Sequence, residues 1–329
     1  MPRYFLGVDI GNTKSHAVIA DEHGQALGFG AGGCGNHEVV GEEGFKATLQ
    51  SITQAALQNA GITAPDIVGA GFGVAGFDWP SDRPMMDRVI SALGLVNARY
   101  DVVNDGMIGL LAGAKQGWGV NVSAGTSSNA RGRDVHGKEG RVTGNGATFG
   151  EYGGGHELVE KAVEAIGRAW SKRGPETLLT QLFIERVGAK GAADFLEGVA
   201  RGRYHVHATD APLVFDAAKQ GDVVAREAIL WMGRELGNLA VGIIRQLELE
   251  DQAFEVVLAG SFYDGSPLVM AAMRAVILEV APGAILTRLN APPVVGSVLL
   301  GMEQAGVDFA PLRKQLLAST NRLFQLAQK

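Results

Sequence analysis

The sequence predicts an α/β protein built from two similar units, and three observations carry that expectation. At 329 residues the chain has room for two domains of about 150 residues each. Groups of short apolar runs, each closed by a glycine turn, precede strand–helix alternation, and this order occurs twice along the chain. Glycine, at 47 residues, is about twice its usual share of roughly 7 % and has no repeat period, which suits many tight turns and close backbone approaches to a ligand.

The elements follow in order from periodicity. Tyr4 to Ile10 is a strand ended by Gly11-Asn12, Ser15 to Ala20 resumes it, and Gln25 to Ala31 forms a third. From Gly44 to Ala60, Phe45, Leu49, Ile52, Ala56 and Leu57 recur at helical spacing, and Gly61 closes the helix. Asp66 to Ala75 then reads as strand, Pro84 to Leu93 as helix, and Tyr100 to Val103 as strand. The second half starts again with strands at Gly119 to Ser123, Asn129 to Arg133 and Arg141 to Thr143, then a helix from about His156 to Lys172. Val223 to Leu249 carries the longest helical pattern, with Ala228, Trp231, Met232, Leu236, Leu239, Ile243 and Leu247 on its apolar face. A strand at Phe254 to Leu258, a helix at Pro267 to Leu278, a strand at Ile285 to Leu289 and a helix at Val295 to Gln304 follow, and the last helix begins near Pro311. The expected domains are 1–115 and 116–310, the second with a helical insertion, and the helix 311–329 is expected to pack back on the first.

Composition narrows the function classes. Hydrophobic residues are 46 % and charged residues 19 %, which excludes a disordered or collagenous chain. The net charge of −6, with no lysine- or arginine-rich run, argues against nucleic acid as a partner. Apolar stretches fall short of the roughly 18 residues that a membrane span needs. The start MPRYFLGVDIG has no charged segment followed by an apolar leader, and the single Cys34 forms no internal disulfide. A soluble, cytoplasmic protein is expected.

Four motifs suggest chemistry. In Gly7-Val8-Asp9-Ile10-Gly11-Asn12-Thr13-Lys14 an acid sits near the end of a buried strand, and a glycine turn offers N–H groups beside Thr13 and Lys14. Such a turn makes an anion-binding concavity, and the carboxylate can hold Mg²⁺ through water; an ordinary hairpin is the plain alternative. Val122 to Asn129 holds a second small-residue turn, Gly125-Thr126-Ser127, at the equivalent point of the second unit. Two such turns facing each other across a cleft would cradle a polyphosphate, without any Walker loop. Val102-Val103-Asn104-Asp105-Gly106 delivers a carboxylate at a strand's C-terminal end, where ligands of open α/β sheets bind; it fits a base for an attacking hydroxyl, or a helix cap. Val256 to Ser261 is a strand and small turn against which adenine and ribose would lie.

Taken together and in this order, the four motifs resemble the acetate-kinase, sugar-kinase, chaperone and actin superfamily, and within it the N-acetylglucosamine kinase and BadF/BadG-type ATPase family. The resemblance runs from Tyr4 to about Gly306 and includes Ala291-Pro292-Pro293-Val294-Val295-Gly296. It implies two ribonuclease-H-like (actin-like ATPase) domains with a cleft between them, and an ATP-dependent kinase acting on a hydroxyl of a small sugar, an amino sugar such as N-acetylglucosamine or glucosamine. Asp9 would position Mg²⁺, and Gly11, Asn12, Thr13, Lys14, Gly125, Thr126 and Ser127 would hold the phosphates. Gly260 and Ser261 would border adenosine. Asp105 would be the general base. Asn36, Gly76, Thr126, Asn145 and Glu151 would meet the sugar together with Asp105. The family also implies a homodimer.

The loop departs from the family pattern: Asn145 stands where a Trp is usual, and Gly150-Glu151-Tyr152-Gly153-Gly154 replaces Gly-Asp-Glu-Gly-Ser. Three rival readings follow. A type III pantothenate kinase shares the first motif, but its Gly-x-Asp-Arg run is missing. An activator ATPase of acyl-CoA dehydratases needs cluster-ligating cysteines. A nucleotide- or sugar-binding sensor without catalysis would explain the altered loop. His205-Val206-His207 reads as a surface pair on a strand rather than a metal site, Trp118, Trp170 and Trp231 as core or cleft packing, and Glu248, Glu250 and Asp251 as a solvated helix end.

Overall fold

Strand β1 (Tyr4–Ile10) is almost wholly buried because it lies in the middle of a five-stranded sheet. It pairs antiparallel with β2 (Ser15–Asp21), which pairs with β3 (Ala26–Gly32), while β4 (Ile67–Val74) and β5 (Arg99–Asn104) lie parallel on its other side, giving the order β3-β2-β1-β4-β5. We describe residues 2–327 of this computed structural model. The second sheet is formed by β6 (Gly119–Ala124), β7 (Ser128–Arg133), β8 (Glu139–Arg141), β9 (Phe254–Ala259) and β10 (Ala284–Arg288) in the order β10-β9-β6-β7-β8. Counted from its own first strand, the second sheet has the same strand order as the first, as the duplicated sequence pattern predicts.

One face of the first sheet packs on α1 (His37–Ala60) and α2 (Arg83–Ser91): Leu6, Val8 and Ile10 meet Phe45, Leu49, Ile52 and Met86 there. α1 begins earlier than its apolar spacing predicts, because Asn36 caps a leading turn before Gly41, whose φ of 72° breaks the helix ahead of the regular part. On the other face, Phe5, Val18 and Ala20 pack against Val294, Val298 and Leu299 of α10 (Pro293–Gln304) and Leu316 of α11 (Arg313–Ala327).

The chain divides into two units, 1–121 with 131–139 and 287–329, and 122–130 with 140–286. The division corrects the expected boundary: α10 belongs to the first unit, not to the second. Small residues on both partners let its backbone approach closely. A Cβ on Gly71 of β4 would stand 2.1 Å from the Ser297 carbonyl oxygen. A Cβ on Gly296 would stand 1.9 Å from that of Ile108 in α3 (Asp105–Gly113). Gly296→Ala is therefore expected to destabilise the first unit by about 1–3 kcal/mol through overpacking. A urea midpoint equal to that of the unsubstituted chain would exclude this seating of α10.

The second unit adds the insertion: α4 (Gly155–Trp170), α5 (Leu178–Val187), α6 (Ala192–Ala200) and α7 (Ala211–Lys219), followed by α8 (Val223–Leu247) and α9 (Pro267–Val280). The third strand of this half is 139–141 rather than Arg141 to Thr143, because Thr143 turns into a loop held by Glu151. Two smaller expectations also change. His205 and His207 lie in irregular chain with rings stacked 6.2 Å apart, not on a strand. Trp170, the last residue of α4, is 56 % exposed rather than packed in a core or cleft.

Candidate active site

Parallel pairing brings the C-terminal ends of β1, β4 and β5 level: Ile10 pairs with Val74, and Val74 with Asn104. Asp9 and Asp105 therefore emerge at one end of the first sheet, where open α/β sheets bind ligands. Asn104, not Asp105, caps α3: its Oδ1 accepts from the Gly106 N–H at 2.9 Å. The capping alternative for Asp105 is thereby removed, and Asp105 stands in the first turn of the helix.

The site is strongly acidic. Burial pushes the Asp105 carboxyl up to about 6, helped by the negative charge of Asp78 and opposed by the Gly106 N–H and Arg131. Burial likewise pushes Asp9 up to about 7, with Asp105 adding to the shift and Lys14 opposing it. Two mutually repelling carboxylates with few cations nearby suit a hard divalent ion. Mg²⁺ commonly takes one or two carboxylates and completes its shell with water and substrate phosphates. Among the described residues no group of three or more His, Cys, Asp or Glu forms an all-protein metal cage.

The Gly11–Lys14 turn closes the β1–β2 hairpin between the paired Ile10 and Ser15. Its Gly11 N–H reaches the Ser15 hydroxyl at 3.4 Å and its Gly11 carbonyl accepts from Gly35 at 3.1 Å, so the turn is tied to the segment before α1. Asn12, Thr13 and Lys14 are exposed. Asn36, 5 % exposed, caps α1 through Glu38 N–H and donates from Nδ2 to the Asn12 Oδ1 at 2.7 Å. Gly76 follows β4 with φ of 81°, and a Cβ there would lie 2.4 Å from the Asn36 Oδ1. Asn12, Asn36 and Gly76, singled out separately in the sequence, thus form one contact set beside the strand ends.

In the second unit, the Gly125–Ser127 turn packs on the start of α4: Gly155 N–H donates to the Gly125 carbonyl at 2.8 Å and His156 N–H to that of Thr126 at 3.0 Å. Gly260 has φ of 97°, and a Cβ on it would be 2.1 Å from the Ala124 carbonyl oxygen, which fits glycine alone at this turn. Gly125, Thr126 and Ser261 line a cavity of about 440 Å³ whose wall includes Phe215 and Gly265. Ser127 is exposed on the same turn. Glu151 accepts from Thr143 N–H and Oγ1 at 2.7 and 2.8 Å and from Asn145 N–H at 2.9 Å, so its carboxylate organises the 143–151 loop and Asn145 lies exposed within it.

Sequence reasoning missed three participants. Asp78 lies four residues beyond β4, and the rule that picked out Asp105, a carboxylate just past a parallel strand, would have found it. Arg131 is 4 % exposed within β7, and a buried arginine in a strand is a signal only once burial is known. Phe215 sits in the helical insertion and belongs to no motif.

Comparison with known proteins places the chain in a family. The chain is 26 % identical over 314 residues to the N-acetyl-D-glucosamine kinase of Dictyostelium discoideum, covering 91 % of this chain and 97 % of that one. It is 26 % identical over 260 residues to the N-acetylmuramic acid/N-acetylglucosamine kinase of Clostridium acetobutylicum, covering 78 % and 85 %. A crystal structure of a Chromobacterium violaceum protein provisionally described as an N-acetylglucosamine kinase shares the fold, with a TM-score of 0.65, 24 % identity and coverage of 91 % and 98 %. Among the described residues no helix is long and apolar enough to cross a membrane. The BadF/BadG/BcrA/BcrD ATPase family profile matches residues 6–301, nearly the whole chain, and the chain belongs to that family.

Proposed function

We propose that this chain is an ATP-dependent kinase that transfers the γ-phosphate of Mg-ATP to a hydroxyl of an amino sugar. The observation that carries the reading is the Asp105 carboxylate at the end of β5, within the Asp9–Asn36–Gly76 end of the sheet. That placement suits a base for a sugar hydroxyl, and the two curated relatives act on N-acetylated amino sugars by name. Asp105 accepts the proton of the attacking hydroxyl, and its raised carboxyl stays ionised above about pH 6. Asn36, fixed by its bonds to Asn12 and Glu38, orients the sugar beside it. Main-chain N–H groups of Gly11–Lys14 in the first unit and of Gly125–Ser127 in the second are assigned to the phosphates, and the cavity lined by Ser261 and Phe215 to adenosine. Asp9 would hold Mg²⁺, which when bound would neutralise the phosphate charge. Thr126, Asn145 and Glu151 of the second unit are assigned to the sugar by the family resemblance, with Glu151 acting by shaping the loop.

Mg-ATP turnover, followed by coupled ADP detection, tests this. The panel is N-acetylglucosamine, glucosamine, N-acetylmuramic acid, N-acetylmannosamine, glucose and pantothenate. One strongly preferred amino sugar is the expected result. ATP binding without sugar-dependent ADP release would favour the sensor reading instead.

A further inference from the structure

Asp105 is flanked on both sides in sequence by residues of one buried polar cluster. Arg131 Nη2 donates to the Asp78 Oδ1 in a short ion pair, with the two side chains 5 % and 17 % exposed. Asn104 Nδ2 donates to that same oxygen at 3.0 Å and to the Phe77 carbonyl at 3.3 Å, while its own Oδ1 caps Gly106. The Arg131 stem fills the space beside Gly106, its Cγ 3.0 Å from where a Cβ would stand. Residues 104 and 106 are therefore both held by this cluster, and the residue between them is Asp105.

A buried ion pair is a poor way to stabilise a fold. Desolvating both charges offsets most of their attraction, and an apolar pair of similar size is often as good or better. Here both charges act on the Asp105 carboxyl, Asp78 raising it and Arg131 lowering it. We propose that Arg131 and Asp78 are positioning residues for phosphoryl transfer, a buried pair that clamps the start of α3 and so aims the Asp105 carboxylate. This rests on the kinase reading for its activity test, though not for its stability test.

The charged groups around the pair are Glu38 at the start of α1 and Asp82, which act on Asp78, and Asp9 of β1, whose carboxyl feels both Asp105 and Lys14. Removing either partner breaks the same ion pair, yet leaves opposite charges beside Asp105. This makes the role separable from simple scaffolding. With Mg-ATP saturating, Asp78→Asn and Arg131→Met are each expected to lower kcat at least about 10-fold. Affinity for a nucleotide analogue should stay within about 2-fold, since neither residue belongs to the turns assigned to the phosphates or lines the cavity assigned to adenosine. The acid limb of kcat/KM for the sugar should move to lower pH in Asp78→Asn and to higher pH in Arg131→Met. Arg131→Lys, which keeps the charge and loses the fork, should lose kcat with the limb unmoved. Limbs that shift together, or kcat values near that of the unsubstituted enzyme in both variants, would overturn the proposal.

A substrate-free measurement runs beside it. In guanidinium unfolding at pH 8, Asp105→Asn and Asp78→Asn are expected to be non-additive by about 5-fold or more in the unfolding constant, since each relieves the same repulsion. Additivity would sink the clamp even if the kinase is active. Absence of any sugar turnover would sink the kinase reading, and the cycle would still decide the pair.

Discussion

Asp105→Asn is expected to lose about 10²–10⁴-fold in turnover, the usual share of a general base, while nucleotide binding is retained. The same substitution should make the protein more stable at alkaline pH. Because the folded-state carboxyl is raised to about 6 from an ordinary value of 3.8, the native state binds the proton more tightly than the unfolded state. The ionised carboxylate therefore costs stability: nothing below the unfolded value, progressively more as pH rises through the folded one, and fully above it. The asparagine removes that cost, so the variant should gain about 1–3 kcal/mol at pH 8 and nothing near pH 3.5. Melting curves without ATP or Mg²⁺ at the two pH values check this against turnover. A variant that is inactive and also less stable at pH 8 would mean that Asp105 supports the fold rather than the chemistry.

Gly76→Ala is expected to raise the sugar KM by about 10-fold or more while leaving nucleotide affinity unchanged. Two costs coincide at this position. A φ of 81° is strained for any residue with a Cβ, and that Cβ would press within 2.4 Å of the Asn36 Oδ1. Asn36 must then swing away, giving up its bond to Asn12 or its cap on α1. Initial rates against sugar concentration, compared with Asn36→Ala, test the point: the two variants should share one phenotype. An unchanged KM in Gly76→Ala would remove Asn36 from the sugar site.

Much of the fold was legible because apolar spacing is a local property. Strands β1, β2, β4 and β5 and helices α8 and α9 fall within a few residues of the positions that periodicity predicts. The turns Gly11–Lys14 and Gly125–Ser127 were visible for the same reason, each being a break between adjacent apolar runs. The allocation of α10 was not. Its spacing marks a helix without naming the sheet it covers, and the backbone approach of Gly296 to Ile108 and of Gly71 to Ser297 places it in the first unit.

The sequence by itself determined the duplicated α/β order, the two glycine turns, and a carboxylate at the end of β5. Each is written in consecutive residues. Only the tertiary structure decided that Asn104 takes the cap and leaves Asp105 in the first turn. Only it joined Asn12, Asn36 and Gly76 into one contact set, and placed Arg131 and Asp78 beside the start of α3. The cap is a local bond, but the other contacts join residues 24 to 53 positions apart, and their energies depend on burial, which no local pattern encodes.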